Sequence, residues 1–237
     1  MDIKNSPSPI IYAADNEDLY GTIKMVDQIQ DHICMVKIGM QLFSAYGIES
    51  IYTDNFNIPV FLDLKLHDIP NTVAKAIEAI TYYDHVEIIT IHSSGGKAMI
   101  NAALKAASKN HKLKLAAVSI LTSLVDQDVI EMGFNAKLED LVFSLSNNAY
   151  QCGIRNFVCS PFEAKFLKDS FKDITTITPG ISTTVPPFDQ KRVASPIRAL
   201  QMGADKLVIG RSISEATDPI EAAKALANDC RKFRLSN

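Results

Sequence analysis

The chain has 237 residues, 47% of them hydrophobic and 22% charged, with 24 basic against 27 acidic side chains and a net charge of −3. That balance lacks the basic excess that a nucleic-acid or anionic-membrane surface requires, and no run nears the roughly 18 uninterrupted apolar residues of a membrane-spanning helix. The polar start, MDIKNSPSP, lacks the apolar core of a secretory signal, and Cys34, Cys152, Cys159 and Cys230 form no CxxC pair, which points to small buried hydrophobes in a reducing, cytoplasmic setting.

Short apolar runs rich in Val and Ile recur from end to end. The first strand is expected at Pro9–Asp15 (PIIYAAD). Leu19, Ile23, Val26, Ile29 and Ile33 then step by three and four positions, giving a helix one apolar face. Met35–Gly39 (MVKIG), Val60–Leu66 (VFLDLKL) and Val86–His92 (VEIITIH) are the next strands, followed by Leu113–Ile120 (LKLAAVSI) and Asn156–Ser160 (NFVCS). Ser160-Pro161-Phe162-Glu163 opens a helix with a capping Ser, Pro at its first position and Glu at its third. Thr175–Gly180 (TTITPG) and Lys206–Arg211 (KLVIGR) complete the set. Between them Ser195-Pro196 starts a helix that Gly203 is placed to end, and Asp218-Pro219 opens the last helix.

Strands alternating with helices imply a parallel sheet with right-handed crossovers. Eight such units in one chain of this length close most economically into a (β/α)8 TIM barrel, expected to be a single domain over residues 1–237. An open, doubly wound sheet is the alternative.

Residues two apart on a strand share a face. Asp63 and Lys65 therefore point one way, and Leu62, Leu64 and Leu66 the other, towards covering helices. Ile11, Ala13 and Asp15 repeat that layout on the first strand, and Lys37 stands near the end of the second. The fourth strand ends in His92-Ser93-Ser94, the fifth leads to Thr122, the seventh to Thr178-Pro179-Gly180 and the eighth to Gly210-Arg211. Any strand end meets solvent, which explains a few of these polar residues. Charges on the inward face of the first three strands need another reason, because a barrel interior is normally filled with branched apolar side chains. An active site at the C-terminal ends of the strands supplies it. Gly210-Arg211-Ser212 falls where barrels commonly cradle phosphate, and Gly180 after the seventh strand would complete the cradle.

Asp15, Lys37, Asp63, Lys65 and Asp68 alternate in sign. Carboxylates around a metal are one reading, opposed by the interleaved lysines that already neutralise them. Lys65 as a Schiff-base nucleophile is a second, opposed by flanking aspartates that favour the ammonium. A protonated Lys65 held between carboxylates is a positioned proton donor and a partner for a developing carbanion. His67 has no evident partner, and His92 reads equally well as a packed, hydrogen-bonded residue.

FLDLKLHDIPNT, from Phe61 to Thr72, resembles the DxKxxD signature of the orotidine 5′-phosphate decarboxylase family and its continuation. The likeness covers nearly the whole chain: AAD at Asp15, KIGMQLF from Lys37, IHSSGG from Ile91, LTS at Thr122, TPGI from Thr178, DQKR from Asp189 and IGR ending at Arg211. Sister barrels, such as the 3-keto-gulonate-phosphate decarboxylase branch, share the Asp-x-Lys-x-x-Asp idea but are not expected to carry HDIPNT. The resemblance implies decarboxylation of orotidine 5′-monophosphate to UMP by a cytoplasmic homodimer that uses neither metal nor organic cofactor.

By position, Asp15 resembles a ribose contact, and Lys37 the lysine joining the charge network to a ribose hydroxyl. Asp63 and Lys65 resemble the catalytic aspartate and the proton-donating lysine. Asp68 and Thr72 resemble residues of the loop that crosses a dimer interface into the neighbouring site. Thr122 matches a position near the pyrimidine, Gln190 a lid glutamine bridging base and phosphate, and Gly210 with Arg211 the phosphate-binding pair. Ser182, on the substrate-binding side, stands where many bacterial members carry Arg. The lid STTVPPF is about one residue shorter than in some relatives, and Pro186 and Pro187 are expected to stiffen it.

Overall fold

All eight expected strands form, in order: β1 (Ile10–Ala14), β2 (Met35–Gly39), β3 (Val60–Leu66), β4 (Val86–His92), β5 (Lys114–Val118), β6 (Asn156–Val158), β7 (Thr175–Thr178) and β8 (Lys206–Ile209). Each pairs in parallel with the next, and β8 returns to β1 through Ile10↔Leu207, Ile11↔Val208 and Tyr12↔Ile209, closing the barrel. The computed structural model describes residues 7–16, 18–52, 56–183 and 192–236. The closed ring excludes the open-sheet alternative.

Three strands have the expected bounds, and the other five are shorter by one or two residues at one end or both. The physical reasons are local. Ser160 leaves β6 to cap a helix, Pro179 has no N–H to donate to a ladder, and Arg211 already begins a helix. Of the residues that leave the ladders, Asp15, Pro179, Gly180, Gly210 and Arg211 surround the mouth of the barrel.

The helices are α1 (Leu19–Ile29), α2 (Met40–Tyr46), α3 (Pro70–Ile80), α4 (Gly96–Ala107), α5 (Asp126–Glu131), α6 (Leu138–Cys152), α7 (Pro161–Ser170), α8 (Pro196–Gln201), α9 (Arg211–Ser214) and α10 (Pro219–Ser236). Ile33 is not on α1: a 3-10 turn at Gln30–His32 intervenes and Ile33 is extended, though still buried. The capping box of α7 forms, with Ser160 N donating to Glu163 Oε2 at 2.9 Å. Ser195 caps α8, which ends at Gln201, two residues before Gly203. Asp218 accepts the N–H groups of Ile220 and Glu221 at the start of α10.

Two apolar clusters sit on either side of the barrel wall. The outer one packs strand residues such as Val36, Ile38, Leu62 and Ile91 against Leu42, Val73, Ile77 and Met99 of the helices. The inner one fills the barrel with Ile11, Ala13, Met35, Phe61, Ile88, Ala116, Val118, Val158, Ile177 and Val208. Full burial of a side chain the size of Phe61 contributes about 2 kcal/mol. The period of two then predicts what lies above this plug: Lys37 follows Met35, Asp63 follows Phe61 and Thr90 follows Ile88 on the same inward face.

No described helix is long and apolar enough to cross a membrane. All four cysteines are free thiols. Cys159 and Cys230 are buried, as expected, whereas Cys34 and Cys152 are only partly so.

Candidate active site

A cavity of about 1200 Å³ opens at the C-terminal ends of the strands. Its floor is the top of the inner plug, with Phe61, Val118, Val158 and Val208. Asp15, Lys37, Asp63 and Lys65 line one side, and Thr122, Ser182, Gly210 and Arg211 line the remainder. Residues from seven of the eight strands or the loops that follow them thus meet at one opening.

The charged side is a chain of alternating sign. Lys37 Nζ lies 2.7 Å from Asp15 Oδ1 and 3.9 Å from Asp63 Oδ2. Lys65 Nζ is bound to both Asp63 oxygens, at 2.9 and 3.0 Å. Side-chain exposure runs from 8% at Lys37 and 14% at Asp63 to 34% at Lys65 and 59% at Asp15. The two innermost charges are therefore opposite in sign, as burial demands, since an unpaired charge there would cost several kcal/mol. Two carboxylates and two ammonium groups make this inner set neutral.

Lys65 reaches Asp63 because the strand is irregular. Leu62 pairs with Ile89 and Leu66 with Ile91, so β3 holds two extra residues against β4. Lys65 takes up the slack with φ +49°, in the left-handed region that costs a non-glycine residue roughly 1–2 kcal/mol. Thr90 offsets this cost: its Oγ1 accepts from Lys65 N at 2.7 Å and donates to Asp63 Oδ1 at 3.0 Å. Leu64 and Leu66 still pack outward against the helices. The expected facing of these residues is correct, but a bulge produces it at Lys65, not regular alternation.

Gly39 ends β2 beside the same charges. A Cβ at this position would fall 2.8 Å from Lys37 Nζ and 2.9 Å from Asp15 Oδ1, so no larger residue fits without displacing that pair. Across the cavity, Gly180 has φ +75°, and a Cβ there would lie 2.7 Å from the carbonyl oxygen of Arg192. Ser182 N donates to Ala194 O at 3.1 Å, and Thr183 N to Ser212 Oγ at 3.2 Å, which ties the loop after β7 to the start of α9.

Two expected site residues stand apart from this cavity. Asp68 and Thr72 are exposed, with Asp68 Oδ1 accepting from Ile69 N at 2.6 Å. Asp68 therefore does not belong to the alternating chain that its spacing from Lys65 suggested: the chain turns outward after β3 and carries it away. Gln190, Pro186 and Pro187 lie outside the described residues. His67 and His92 have rings 5.2 Å apart and share Ser94, whose Oγ is 2.5 Å from His92 Nδ1 and 3.4 Å from His67 Nε2. Burial first, then the neighbouring His67 and Lys65 charges, holds His92 below the usual histidine range.

Thr90, Gly39, Arg192 and Glu163 carry structural roles at the site that the sequence reading did not assign. Thr90 was findable, as a polar residue in inward register two positions after Ile88. Arg192 ends the DQKR stretch, but its contact had no local signal, because its partner Thr122 is 70 residues away. Among the described residues no group of three or more His, Cys, Asp or Glu is arranged to hold a metal ion.

Residues 8–226 match the family described as Orotidine 5'-phosphate decarboxylase / HUMPS family. An orotidine 5'-phosphate decarboxylase of Wolbachia pipientis subsp. Culex pipiens is 40% identical over 221 residues, which cover 92% of this chain and 97% of that protein. One from Ehrlichia chaffeensis is 40% identical over 220 residues, covering 92% and 94%. The crystal structure of orotidine 5'-phosphate decarboxylase from Lactobacillus acidophilus shares the architecture with a TM-score of 0.81 at 33% identity, over 94% of this chain and 99% of that one.

Proposed function

The chain belongs to the orotidine 5′-phosphate decarboxylase / HUMPS family, and from that kinship we propose that it converts orotidine 5′-monophosphate to UMP, the closing step of UMP biosynthesis. The observation that carries this reading is the alternating chain Lys65–Asp63–Lys37–Asp15 at the mouth of the barrel, in one cavity with Gly210 and Arg211.

The chemistry follows from where charge changes. Loss of the ring carboxylate as carbon dioxide leaves its bonding pair on the adjoining ring carbon. Lys65, held as an ammonium by Asp63, stabilises that pair and gives it a proton, and the neutral amine then regains one from water. Asp63 faces the departing carboxylate and disfavours it in the ground state. The barrier must fall by about 20 kcal/mol, near the upper end for enzymes, and one salt bridge cannot supply that. Contacts remote from the reacting carbon therefore contribute: Arg211 and Gly210 on the phosphate, Ser182 and lid Gln190 beside it, Asp15 and Lys37 on the ribose, and Thr122 near the pyrimidine.

The protein acts as a cytoplasmic homodimer of single-domain barrels without metal or organic cofactor, and Asp68 and Thr72 complete the neighbouring subunit's site. Their exposure, with the exposed apolar side chain of Ile69 between them in the sequence, supports that assignment. The test is a spectrophotometric assay with purified protein in chelator-treated buffer. Orotidine monophosphate should disappear with equimolar UMP formed. A protein that leaves it intact but turns over a phosphosugar would belong to a sister branch instead.

A further inference from the structure

Arg192 is not among the residues lining the cavity, yet its side chain, 12% exposed, binds four groups on the loop after β5 and the start of α7. Its Nε donates to Thr122 O at 3.0 Å, and a terminal nitrogen donates to Leu121 O at 3.3 Å. The other terminal nitrogen donates to Ser160 Oγ at 3.3 Å and pairs with Glu163 Oε1. Glu163, 8% exposed, is fixed from its other oxygen by Ser160 N at 2.9 Å. The backbone around Arg192 is equally constrained. Its carbonyl lies against Gly180, Ala194 N donates to Gly180 O at 3.0 Å, and Ile181 and Ala194 form a parallel bridge.

One residue thus joins the loop after β5, the cap of α7 and the loop after β7. A buried ion pair is weak support for stability, since apolar residues of similar volume often do as well. What the planar guanidinium adds is direction: its fork reaches a carboxylate and two carbonyls at once, which no apolar or point-charge side chain does. The carbonyls it holds belong to Thr122 and the residue before it, and Thr122 lines the cavity.

We propose that Arg192 is a positioning residue: by binding the carbonyls of Leu121 and Thr122 from a base anchored on Glu163, it sets the place of the Thr122 side chain at the site. The inference rests on the functional reading above, since it takes Thr122 as a substrate neighbour.

A double-mutant cycle tests it. Arg192→Met, Thr122→Ala and the double variant are compared for kcat/KM on orotidine monophosphate and for UMP affinity, with Tm measured alongside. Each single change should lower kcat/KM by about tenfold to a hundredfold, and the double loss should fall short of their product by at least about threefold. Losses that multiply would overturn the proposal. Arg192→Lys covers the case in which Arg192→Met does not fold. It keeps the charge opposite Glu163 but not the fork, so Tm should stay within a few degrees while kcat/KM drops. A fully active Arg192→Lys protein would also overturn the proposal. An inactive wild type that does not bind UMP would instead overturn the functional reading, so the two failures are distinguishable.

Discussion

Lys65 binds both carboxylate oxygens of Asp63, at 2.9 and 3.0 Å, from a position two residues further along the same strand. In a regular strand the two side chains would stand side by side and a long lysine would extend past a short aspartate. The left-handed turn at Lys65 brings the ammonium back, and Thr90 holds that turn in place. The pairing is therefore a property of three residues on two strands.

Thr90→Val keeps the shape of that side chain and removes both hydrogen bonds. It leaves the part-buried Lys65 N without its acceptor, a loss of about 1 kcal/mol in stability, the low end for such a group. Denaturant unfolding should register that loss, and kcat should fall as well because Asp63 loses a donor at 3.0 Å. A variant with unchanged kcat would show that the bulge does not position Lys65.

Gly39→Ala isolates the Lys37–Asp15 pair. The backbone at this position is extended, with φ −97°, so alanine meets no strain. Its methyl would displace only side-chain tips. Tm should stay within a few degrees of wild type while kcat/KM falls by at least about tenfold, the scale of a small misplacement at a reacting centre. Equal losses in both would mean that the glycine serves packing only.

Arg211→Ala should separate phosphate binding from chemistry. Use of orotidine monophosphate should drop sharply, whereas use of the nucleoside without phosphate should change little. Kinetics on both substrates decide the matter, and an equal loss on each would remove Arg211 from the phosphate.

Stability should fall with acid from about pH 6.5 downward. Burial is the first cause that lowers the pKa values of His32, His85 and His92 in the folded protein. The unfolded chain, with ordinary histidines near 6.5, then takes up protons first as pH falls. The contribution is complete above about pH 6.5 and is lost as pH drops from there towards the folded values. Thermal denaturation should give a flat Tm above pH 7 and a declining one by pH 5.5; a Tm constant over that range would contradict the burial of these rings.

The barrel was legible because its signals are short-range. Val, Ile and Leu runs mark the strands, and Ser160, Pro161 and Glu163 mark a helix start within four residues. The inward face of Asp63 and Lys37 followed from a period of two. The bulge at Lys65 did not, because a slip in register depends on the partner strand β4. Asp68 lies only three positions from Lys65 in sequence, yet it is exposed and apart from the inner charges, because β3 ends at Leu66. The role of Arg192 depends on carbonyls 70 and 71 residues distant, which no local pattern encodes.

The account depends most on Lys65 as the donor to the carbon left by carbon dioxide. Turnover of orotidine monophosphate by Lys65→Ala, measured beside its UMP affinity and circular dichroism, tests this directly. A folded variant that still binds UMP but has lost many orders of magnitude in kcat is the predicted result. A folded variant within about tenfold of wild type, less than a positioned general acid is worth, would contradict it.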